Sequence, residues 1–416
     1  MTIRALPALG INGKNQLHGL VAHPLSQPGI PNKKQEIVSG LRLIFILILA
    51  RAAIVKLVFR RYRDPKSVYH IVRRLGQLRR QLFGAGHIRK VCKVDGKYYW
   101  DLYAPGFKSQ AFTKFIEGEA NRIVPVRGKS NRFTNVFVAF TKKCSLQCEH
   151  CFEWNILNKK EMLSIDQIKD IISKFQERGT AQIQLTGGEP LLRVNDIVDI
   201  LNSSTFDTEF WVLSSGYNLT YDNAIKLKRA GLTGIVISLD DYDPTRHDEF
   251  RGIKNSYAWA LAAVTNAISA NLVTALSICV TRSFVSETNL MAYSELARSL
   301  GVSFVQILEP SAVGHYEGMD VLLTAGHQDT LEKFYLKMNR EQRYAQFPIV
   351  TYHGYHLRRA GCFGSGNRNL YVDTDGDIRA CPFCQTKAGH ALSGDLDTSI
   401  ERLQSIGCHS FNPAST

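Results

Sequence analysis

The sequence predicts an α/β protein: a partial (β/α)6 TIM-type barrel with a small C-terminal cysteine-bearing domain and an N-terminal apolar and basic helical arm. Three observations carry this. Over about 175 residues strand-like and helix-like runs alternate, which implies parallel strands joined by right-handed crossovers. Of the 51 Lys and Arg, 18 fall within residues 1–93 against two acids, Glu36 and Asp64, leaving 33 basic and 35 acidic residues for the remainder. Seven of the nine cysteines gather in two places, residues 144–151 and 362–408.

Residues 1–40 are punctuated by Pro, Gly and Asn without an apolar period and read as a mobile tail. Residues 41–59 form the most apolar stretch. Its Leu, Ile, Val and Phe favour membrane insertion by about 4–8 kcal/mol, whereas Arg51 near the centre costs about 2.5–3.5 kcal/mol and Lys56 somewhat less. A spanning helix and an interfacial helix therefore both stay open. Residues 60–93 add eleven Lys and Arg against Asp64 alone, a composition suited to an anionic cytoplasmic leaflet. If the helix spans, the heavier positive flank places the body in the cytoplasm. A core helix followed by a solvated basic helix is the plain alternative.

Residues 94–132 read as a hairpin turning at Asp95-Gly96 and a linking segment. The barrel core, residues 133–310, holds strand-like runs near 134–141, 182–186, 209–214, 234–239, 273–280 and 303–308. Helix-like runs lie near 164–178, 194–202, 222–230, 255–270 and 286–299, and Ser164-x-x-Gln167 reads as a capping box. Residues 311–360 read as a helical linker and 361–416 as the C-terminal domain. A barrel of this kind carries its site at the C-terminal ends of its strands.

Composition excludes general disorder and collagen-like repeats. The net charge of +14 resides in the arm, and the body is nearly neutral, which argues against a nucleic-acid channel across the protein. The arm also lacks the interleaved aromatics of a base-stacking surface. Clustered cysteines in a long chain point to metal or iron–sulfur ligation in a reducing compartment rather than to a disulfide framework. Some forty residues precede any apolar run, too many for a signal-peptide n-region, so the body reads as cytoplasmic.

Cys144-x3-Cys148-x2-Cys151 follows the first barrel strand directly. Three thiolates on one compact loop leave one iron of a cubane open for a ligand, whereas a structural zinc site prefers four. The segment FTKKCSLQCEHC resembles the radical S-adenosylmethionine (SAM) superfamily signature C-x3-C-x-aromatic-C, with His150 in the aromatic slot. That resemblance implies a catalytic [4Fe–4S] cluster on Cys144, Cys148 and Cys151, with SAM chelating the open iron and His150 near its adenine. It further implies reductive cleavage of SAM to a 5′-deoxyadenosyl radical that abstracts a substrate hydrogen, with flavodoxin or ferredoxin as reductant.

Thr186-Gly187-Gly188-Glu189-Pro190 ends the second strand and resembles the family's GGEP motif. By resemblance Gly187, Gly188 and Glu189 hold SAM's amino group; adjacent glycines permit close approach and a carboxylate accepts from an ammonium. Ser214-Ser215-Gly216 stands where relatives carry TNG, and Ser215 is a SAM contact on that basis. Ser238-Leu239-Asp240 and His247-Asp248-Glu249-Phe250-Arg251-Gly252 resemble the S-x-D…HD-x-x-RG block of peptide-modifying and molybdenum-cofactor branches, which implies SAM contacts by Ser238 and Arg251. An ion pair of Arg251 with Asp248 on the surface is the plain reading. Glu309 either faces the site or is a helix-entry carboxylate.

In the C-terminal domain Cys362 is followed after thirteen residues by Gly376, then by Cys381 and Cys384 as C-x2-C, with Cys408 beyond. The text resembles the auxiliary-cluster domains named SPASM and Twitch. Four cysteines suffice for one auxiliary [4Fe–4S] cluster, and zinc competes because four thiolates suit it. Cys279 reads as a buried small residue, Cys92 has no partner in sequence, and residues 352–356 read as an exposed loop. The substrate is a peptide, a small metabolite or a membrane-lipid-linked molecule. A zinc- or Fe–S-stabilised membrane-associated interaction or electron-transfer protein is the alternative.

Overall fold

The computed structural model describes residues 35–83, 89–128, 132–362, 364, 366–392 and 395–408. Most of the tail expected over residues 1–40 lies outside the described residues. The last part of that stretch is ordered: β1 (Glu36–Ser39) precedes α1 (Gly40–Tyr62) and α2 (Pro65–Phe83), followed by the hairpin β2 (Lys90–Val94) and β3 (Lys97–Tyr99) and by α3 (Gln110–Ile123). The hairpin turns where the sequence predicts, with Asp95 and Gly96 both at positive φ. β1 pairs antiparallel with β2, and β2 with β3. The linking segment expected over residues 94–132 thus contains a helix, and Ser109 caps it by accepting from Phe112 N–H.

The core begins with β4 (Asn135–Ala139), α4 (Ile165–Glu177), β5 (Gln182–Thr186), α5 (Val194–Ser203), β6 (Glu209–Ser214), α6 (Tyr221–Ala230) and β7 (Leu232–Ser238). It continues through α7 (Pro244–Arg251), α8 (Ser256–Ser269), β8 (Val273–Cys279), α9 (Glu287–Leu300) and β9 (Phe304–Leu308). The six expected strands and five expected helices are present. The capping box at Ser164 and Gln167 makes both of its bonds, at 3.2 and 2.9 Å. α7 is a further helix, started by Asp243 with Pro244 behind it and stopped by Gly252 at φ 67°. Its eight residues hold too few apolar positions for periodicity to reveal it.

The chain ends with α10 (Ala325–Arg340), β10 (Ile349–Tyr352), α11 (His353–Ala360), β11 (Asn369–Val372), β12 (Asp377–Arg379), β13 (Gly389–His390) and α12 (Leu396–Ile406). One sheet runs β10-β9-β8-β7-β6-β5-β4-β11-β12-β13. Its first eight strands are parallel and the last two antiparallel. The sheet is an open arc that gains β10 at one edge of the expected six strands and β11, β12 and β13 at the other. β10 comes from the expected linker, and β11 pairs with β4, so the C-terminal domain continues the sheet of the core. Residues 352–356, expected as an exposed loop, lie at the β10–α11 junction, where Tyr352, Tyr355 and His356 are buried.

The period of two sorts the strands' two faces. Val136, Val138, Ile183, Leu185, Ile235 and Ile237 face the helices and build the main core. On the concave face Trp211, Val236, Val273, Ala275, Phe304 and Ile349 pack against Cys92, Val94, Tyr99 and Leu102. The β2–β3 hairpin and the residues after it therefore plug the N-terminal end of the arc. Cys92, without a partner in sequence, lies here with its Sγ 2.6 Å from Ser303 Oγ. Lys90 seals the joint: its buried Nζ donates to the carbonyls of Met338, Tyr344, Phe347 and Pro348 at 2.9–3.2 Å.

With that end closed, the open end of the arc is the one where the strands finish.

Candidate active site at the strand ends

The loop after β4 carries Cys144, Cys148 and Cys151, all free thiols. Its shape is set by neighbouring strand ends through backbone contacts. Gly188 N–H donates to Thr141 O and Glu189 N–H to Lys143 O, both at 2.7 Å. A Cβ on Gly188 would stand 2.3 Å from Lys143 O, and one on Gly187, which sits at φ 135°, 2.4 Å from Thr141 O. The two glycines are thus demanded by the approach of one loop to another, a reason that the motif alone does not reveal.

From the α7 side, Gln147 N–H and Glu149 N–H donate to Arg251 O and Phe250 O at 3.1 and 3.0 Å. Asn158, at positive φ, clasps Cys144 through both its amide atoms, at 3.0 and 2.9 Å. From beyond β9, His315 N–H donates to Cys151 O at 2.9 Å, and the His315 ring stacks on Trp154 with centroids 3.9 Å apart. Gly314 (φ 62°) lies where a Cβ would meet Cys151 O at 2.2 Å. Residues 314–316 were not singled out from the sequence, because a lone Gly-His pair carries no spacing signal.

Glu189 is buried, and its carboxylate accepts from Leu191 N–H, Ser214 Oγ, Ser215 N–H and Ser215 Oγ at 2.5–3.0 Å. Four donors fill the acceptor positions of a carboxylate. Glu189 therefore ties the end of β5 to the end of β6, with Ser215 as its partner, rather than offering a free carboxylate to an ammonium. Burial nevertheless raises the Glu189 pKa against the lowering effect of those hydrogen bonds.

Arg251 departs most from its plain reading. It does not pair with Asp248, which instead accepts from Asn255 N–H, Ser256 Oγ and Tyr257 N–H at the start of α8. Its guanidinium grips Asp240 at 2.5–2.6 Å and points a third N–H at Cys148 Sγ, 3.4 Å away. Asp240 also accepts from Cys279 N–H at 2.9 Å, and its own N–H donates to His247 Nδ1 at 3.0 Å. Despite burial, the Arg251 guanidinium beside it holds the Asp240 carboxyl below its usual range. Ser238 ends β7, two residues before Asp240, in register with Ser277 on β8. Cys279, expected as a buried small residue, is one.

His150 stacks on Phe250 with centroids 4.9 Å apart. Its Nδ1 is buried without a hydrogen-bond partner, and burial lowers its pKa to about 4, so the ring is neutral. Burial pushes the Cys144 and Cys151 thiols up to about 12. For Cys148 the nearby Arg251 cation works against that rise. This donor set fits an iron–sulfur cluster: three thiols on one loop, one of them beside a fixed cation able to balance thiolate charge.

Deeper in the arc lies a polar layer. Gln306 and Thr351 are neighbours in register, Tyr103 Oη bonds Gln306 Nε2, and the Tyr103 ring lies 4.3 Å from that of His353 and 6.3 Å from Phe137. Gln184 stands beside Phe137 in register. Gln184 Nε2, Thr351 Oγ1 and His353 Nε2 are buried without hydrogen-bond partners. Glu309 accepts from Tyr352 Oη and Arg358 at 2.7 and 2.8 Å at the end of β9.

The second cysteine set is also brought together. Cys381 and Cys384 Sγ lie 3.4 Å apart, Cys362 and Cys384 both hydrogen-bond Cys408, and Cys362 is also electrostatically coupled to Cys384. The Cys384 thiol hydrogen holds Cys381 below its usual value, while burial raises Cys362 to about 12. Among the described residues no group of three or more His, Cys, Asp or Glu side chains gathers as ligands of one ion would. The two sets adjoin: Phe152, next to Cys151, packs edge-on against Phe383 at 6.0 Å and Tyr371 at 6.1 Å. Lys142 Nζ bonds Asp375 Oδ1 at 2.5 Å.

Comparisons with known proteins converge on this region. Residues 138–285 match the Radical SAM superfamily. The chain is 29% identical over 263 residues to mycofactocin maturase MftC of Mycolicibacterium smegmatis, covering 61% of this chain and 66% of that protein. It is 26% identical over 254 residues to PqqA peptide cyclase of Streptomyces rochei, covering 59% of this chain and 68% of that one. About a third of each relative thus lies outside the match. In fold it resembles Streptococcus suis SuiB bound to the precursor peptide SuiA, with a TM-score of 0.55, 15% identity and 70% of each chain covered. The matched segment, residues 138–285, carries the three-cysteine loop, the Gly-Gly-Glu strand end and the Arg251–Asp240 pair, and is a Radical SAM domain.

Proposed function

We propose that this enzyme binds a [4Fe–4S] cluster through Cys144, Cys148 and Cys151, binds SAM beside it, and modifies a peptide by hydrogen abstraction. The observation that carries the reading is the Arg251–Asp240 pair aimed at Cys148 on a loop pinned by three other segments. When bound, the cluster and SAM supply one-electron cleavage of SAM to methionine and a 5′-deoxyadenosyl radical that takes a hydrogen atom from the substrate.

The chain's own residues position and shield. Gly187 and Gly188 let the β5 end approach the cysteine loop and shape the seat for SAM's amino group, while Glu189, held by Ser215 and Ser214, fixes the β5 and β6 ends that border it. His150, neutral and stacked on Phe250, offers its unpaired Nδ1 toward the adenine side. Arg251 and Ser238 face SAM's carboxylate or ribose, with Asp240 fixing the guanidinium. The plugged end of the arc keeps water from the reacting centre. A low-potential reductant of the flavodoxin or ferredoxin type supplies the electron.

A peptide substrate is favoured because two relatives are named as a maturase and a peptide cyclase. The unpaired Gln184, Thr351 and His353 add support, since neutral donors and acceptors suit a peptide's amide and hydroxyl groups. Cys362, Cys381, Cys384 and Cys408 hold one auxiliary [4Fe–4S] cluster beside the catalytic one. The basic arm of α1 and α2 turns the enzyme toward the cytoplasmic face of an anionic membrane.

The test is iron, sulfide and zinc content of anaerobically purified protein, with 5′-deoxyadenosine formation driven by dithionite. The wild type is compared with the Cys144→Ala/Cys148→Ala/Cys151→Ala variant. About eight irons falling to about four, with product only in the wild type, is the expected result. Zinc in place of iron and no SAM cleavage would overturn the assignment and leave a metal-stabilised scaffold.

A further inference from the structure

α1 is apolar on two opposite faces, and among the described residues only one of them is covered. Leu43, Ile46, Ala50 and Val58 are buried in a cluster shared with Ile71 of α2 and Phe112 and Ile116 of α3. On the other side Leu41 is 85% exposed, Phe45 63%, Ile48 54% and Phe59 51%. At about 100° per residue, Leu41, Ile48, Ala52, Val55 and Phe59 fall within about 40° of one line along the helix. A soluble surface helix places polar residues on that line, and seven exposed large apolar side chains on one helix (the four above with Ile44, Leu49 and Val55) are more than scattered surface hydrophobes.

Cations rim the ridge. Arg51 lies on one flank and Lys56 and Arg60 on the other, all exposed. Across the α1–α2 contact Arg79 is held below its usual pKa by burial and by the neighbouring Arg51 and Arg80, so positive charge is crowded here. α1 contains no acid. Nearby, Glu36 is already paired with Arg42 at 2.8 Å, and Asp64 caps α2 by accepting from Ser67 N–H at 2.8 Å. An apolar ridge between basic flanks is complementary to a surface with anionic headgroups above hydrocarbon.

We propose that the exposed face of α1 docks in the plane of an anionic phospholipid membrane, sinking Phe45, Ile48 and Phe59 below the headgroups that its flanking arginines and lysines contact. This rests on the reading of the arm as membrane-facing and gives that reading its geometry. α1 lies on the membrane and does not cross it. Crossing would strip Leu43, Ile46, Ala50 and Val58 from the core shared with α2 and α3, and no helix among the described residues is long and apolar enough to cross a membrane. The in-plane pose keeps that core intact and brings the catalytic body to the surface without unfolding any element.

The full-length protein is sedimented with vesicles of phosphatidylglycerol and phosphatidylcholine in equal parts, and with phosphatidylcholine alone. Phe45→Asp/Ile48→Asp is compared with wild type, and both are checked for unchanged thermal unfolding and oligomeric state. The expected result is at least tenfold stronger binding of wild type to the anionic vesicles, lost at least tenfold in the variant, with partial retention of wild-type binding in 0.5 M salt, a concentration at which screening reaches within about 5 Å. A Phe45→Trp reporter shifts its emission to the blue on the anionic vesicles. Equal binding by the Asp variant would overturn the ridge and leave an arm held by charge alone. Failure to bind any vesicle would overturn the membrane reading itself. A wild-type dimer that the Asp variant dissociates, without vesicle binding, would overturn the proposal in favour of a second copy of the chain.

Discussion

The two cysteine sets of this chain are built in opposite ways. The loop of Cys144, Cys148 and Cys151 spans eight residues and is gripped from outside by the ends of β5, α7 and the 314–316 turn. Most of those grips are backbone hydrogen bonds, and glycines stand at the closest approaches. The set of Cys362, Cys381, Cys384 and Cys408 is drawn instead from three separated places, before β11, after β12 and beyond α12, and its sulfurs meet chiefly one another. The first site is therefore shaped by the fold before any cluster binds. The second, on the proposed auxiliary cluster, would lean on that cluster for part of its shape, as metal-stapled segments do. Variants that disturb each set should separate these two dependences.

The largest effect is expected at Gly188. A methyl group there meets Lys143 O at 2.3 Å, a backbone atom that cannot swing aside, so Gly188→Ala displaces the cysteine loop. The expected outcome is loss of about four of eight irons and at least a 100-fold fall in 5′-deoxyadenosine formation, while the auxiliary metal persists. Retention of both by the variant would show that the loop is set by the cluster after all.

Next is the buried Arg251–Asp240 pair. Arg251→Leu leaves Asp240 charged and partnered only by Cys279 N–H in a dry site, at a cost of about 3–5 kcal/mol, or roughly 10 °C in Tm. Arg251→Leu/Asp240→Leu should recover most of that stability, because apolar replacement of both partners removes the stranded charge. SAM cleavage should stay low in both. Thermal unfolding and product assays on the same samples distinguish scaffold from positioning.

Sequence reading reached the first set more fully than the second, for physical reasons. Parallel strands buried on both faces write continuous Val and Ile runs, and helices such as α4 announce themselves by Ser164 and Gln167, so the six-strand arc was legible. Cys144, Cys148 and Cys151 lie within eight consecutive residues, and their spacing carries information by itself. The Arg251–Asp240 pair was half-legible: both residues were noted, but α7 is too short and polar to show a period, and its fold-back onto the loop could not be read. β10 was hidden because four residues of apolar strand between two helical stretches resemble a linker. β11's pairing with β4 joins residues more than 230 apart in sequence, and no local pattern encodes that.

A smaller effect is expected for the second set. Cys408 is bonded to Cys362 and Cys384 and is reached from α12, near the end of the described chain. Cys408→Ser should lower auxiliary iron by up to about four atoms and loosen α12, seen as faster hydrogen exchange over residues 396–406, with catalytic-site iron unchanged. Loss of iron from both sites would mean that Phe152–Phe383 and Lys142–Asp375 couple the sets tightly enough for one to collapse the other.

The smallest effect is a change of pH dependence at His247, beside the first set. Its Nδ1 accepts the Asp240 N–H at 3.0 Å, a role that only the unprotonated ring fills, and burial lowers its pKa to about 4. In the unfolded chain the group titrates at about 6.5. Between these values the unfolded state binds a proton that the folded state refuses, so His247 withdraws stability as pH falls from 6.5 toward 4, by at most about 1.4 kcal/mol per pH unit. His247→Asn keeps a neutral acceptor at the same depth and should flatten this acid limb without changing the slope above pH 7. Chemical denaturation of both proteins at pH 7.5, 6 and 5 measures it. Parallel losses in the two would move the acid sensitivity away from the Asp240 network.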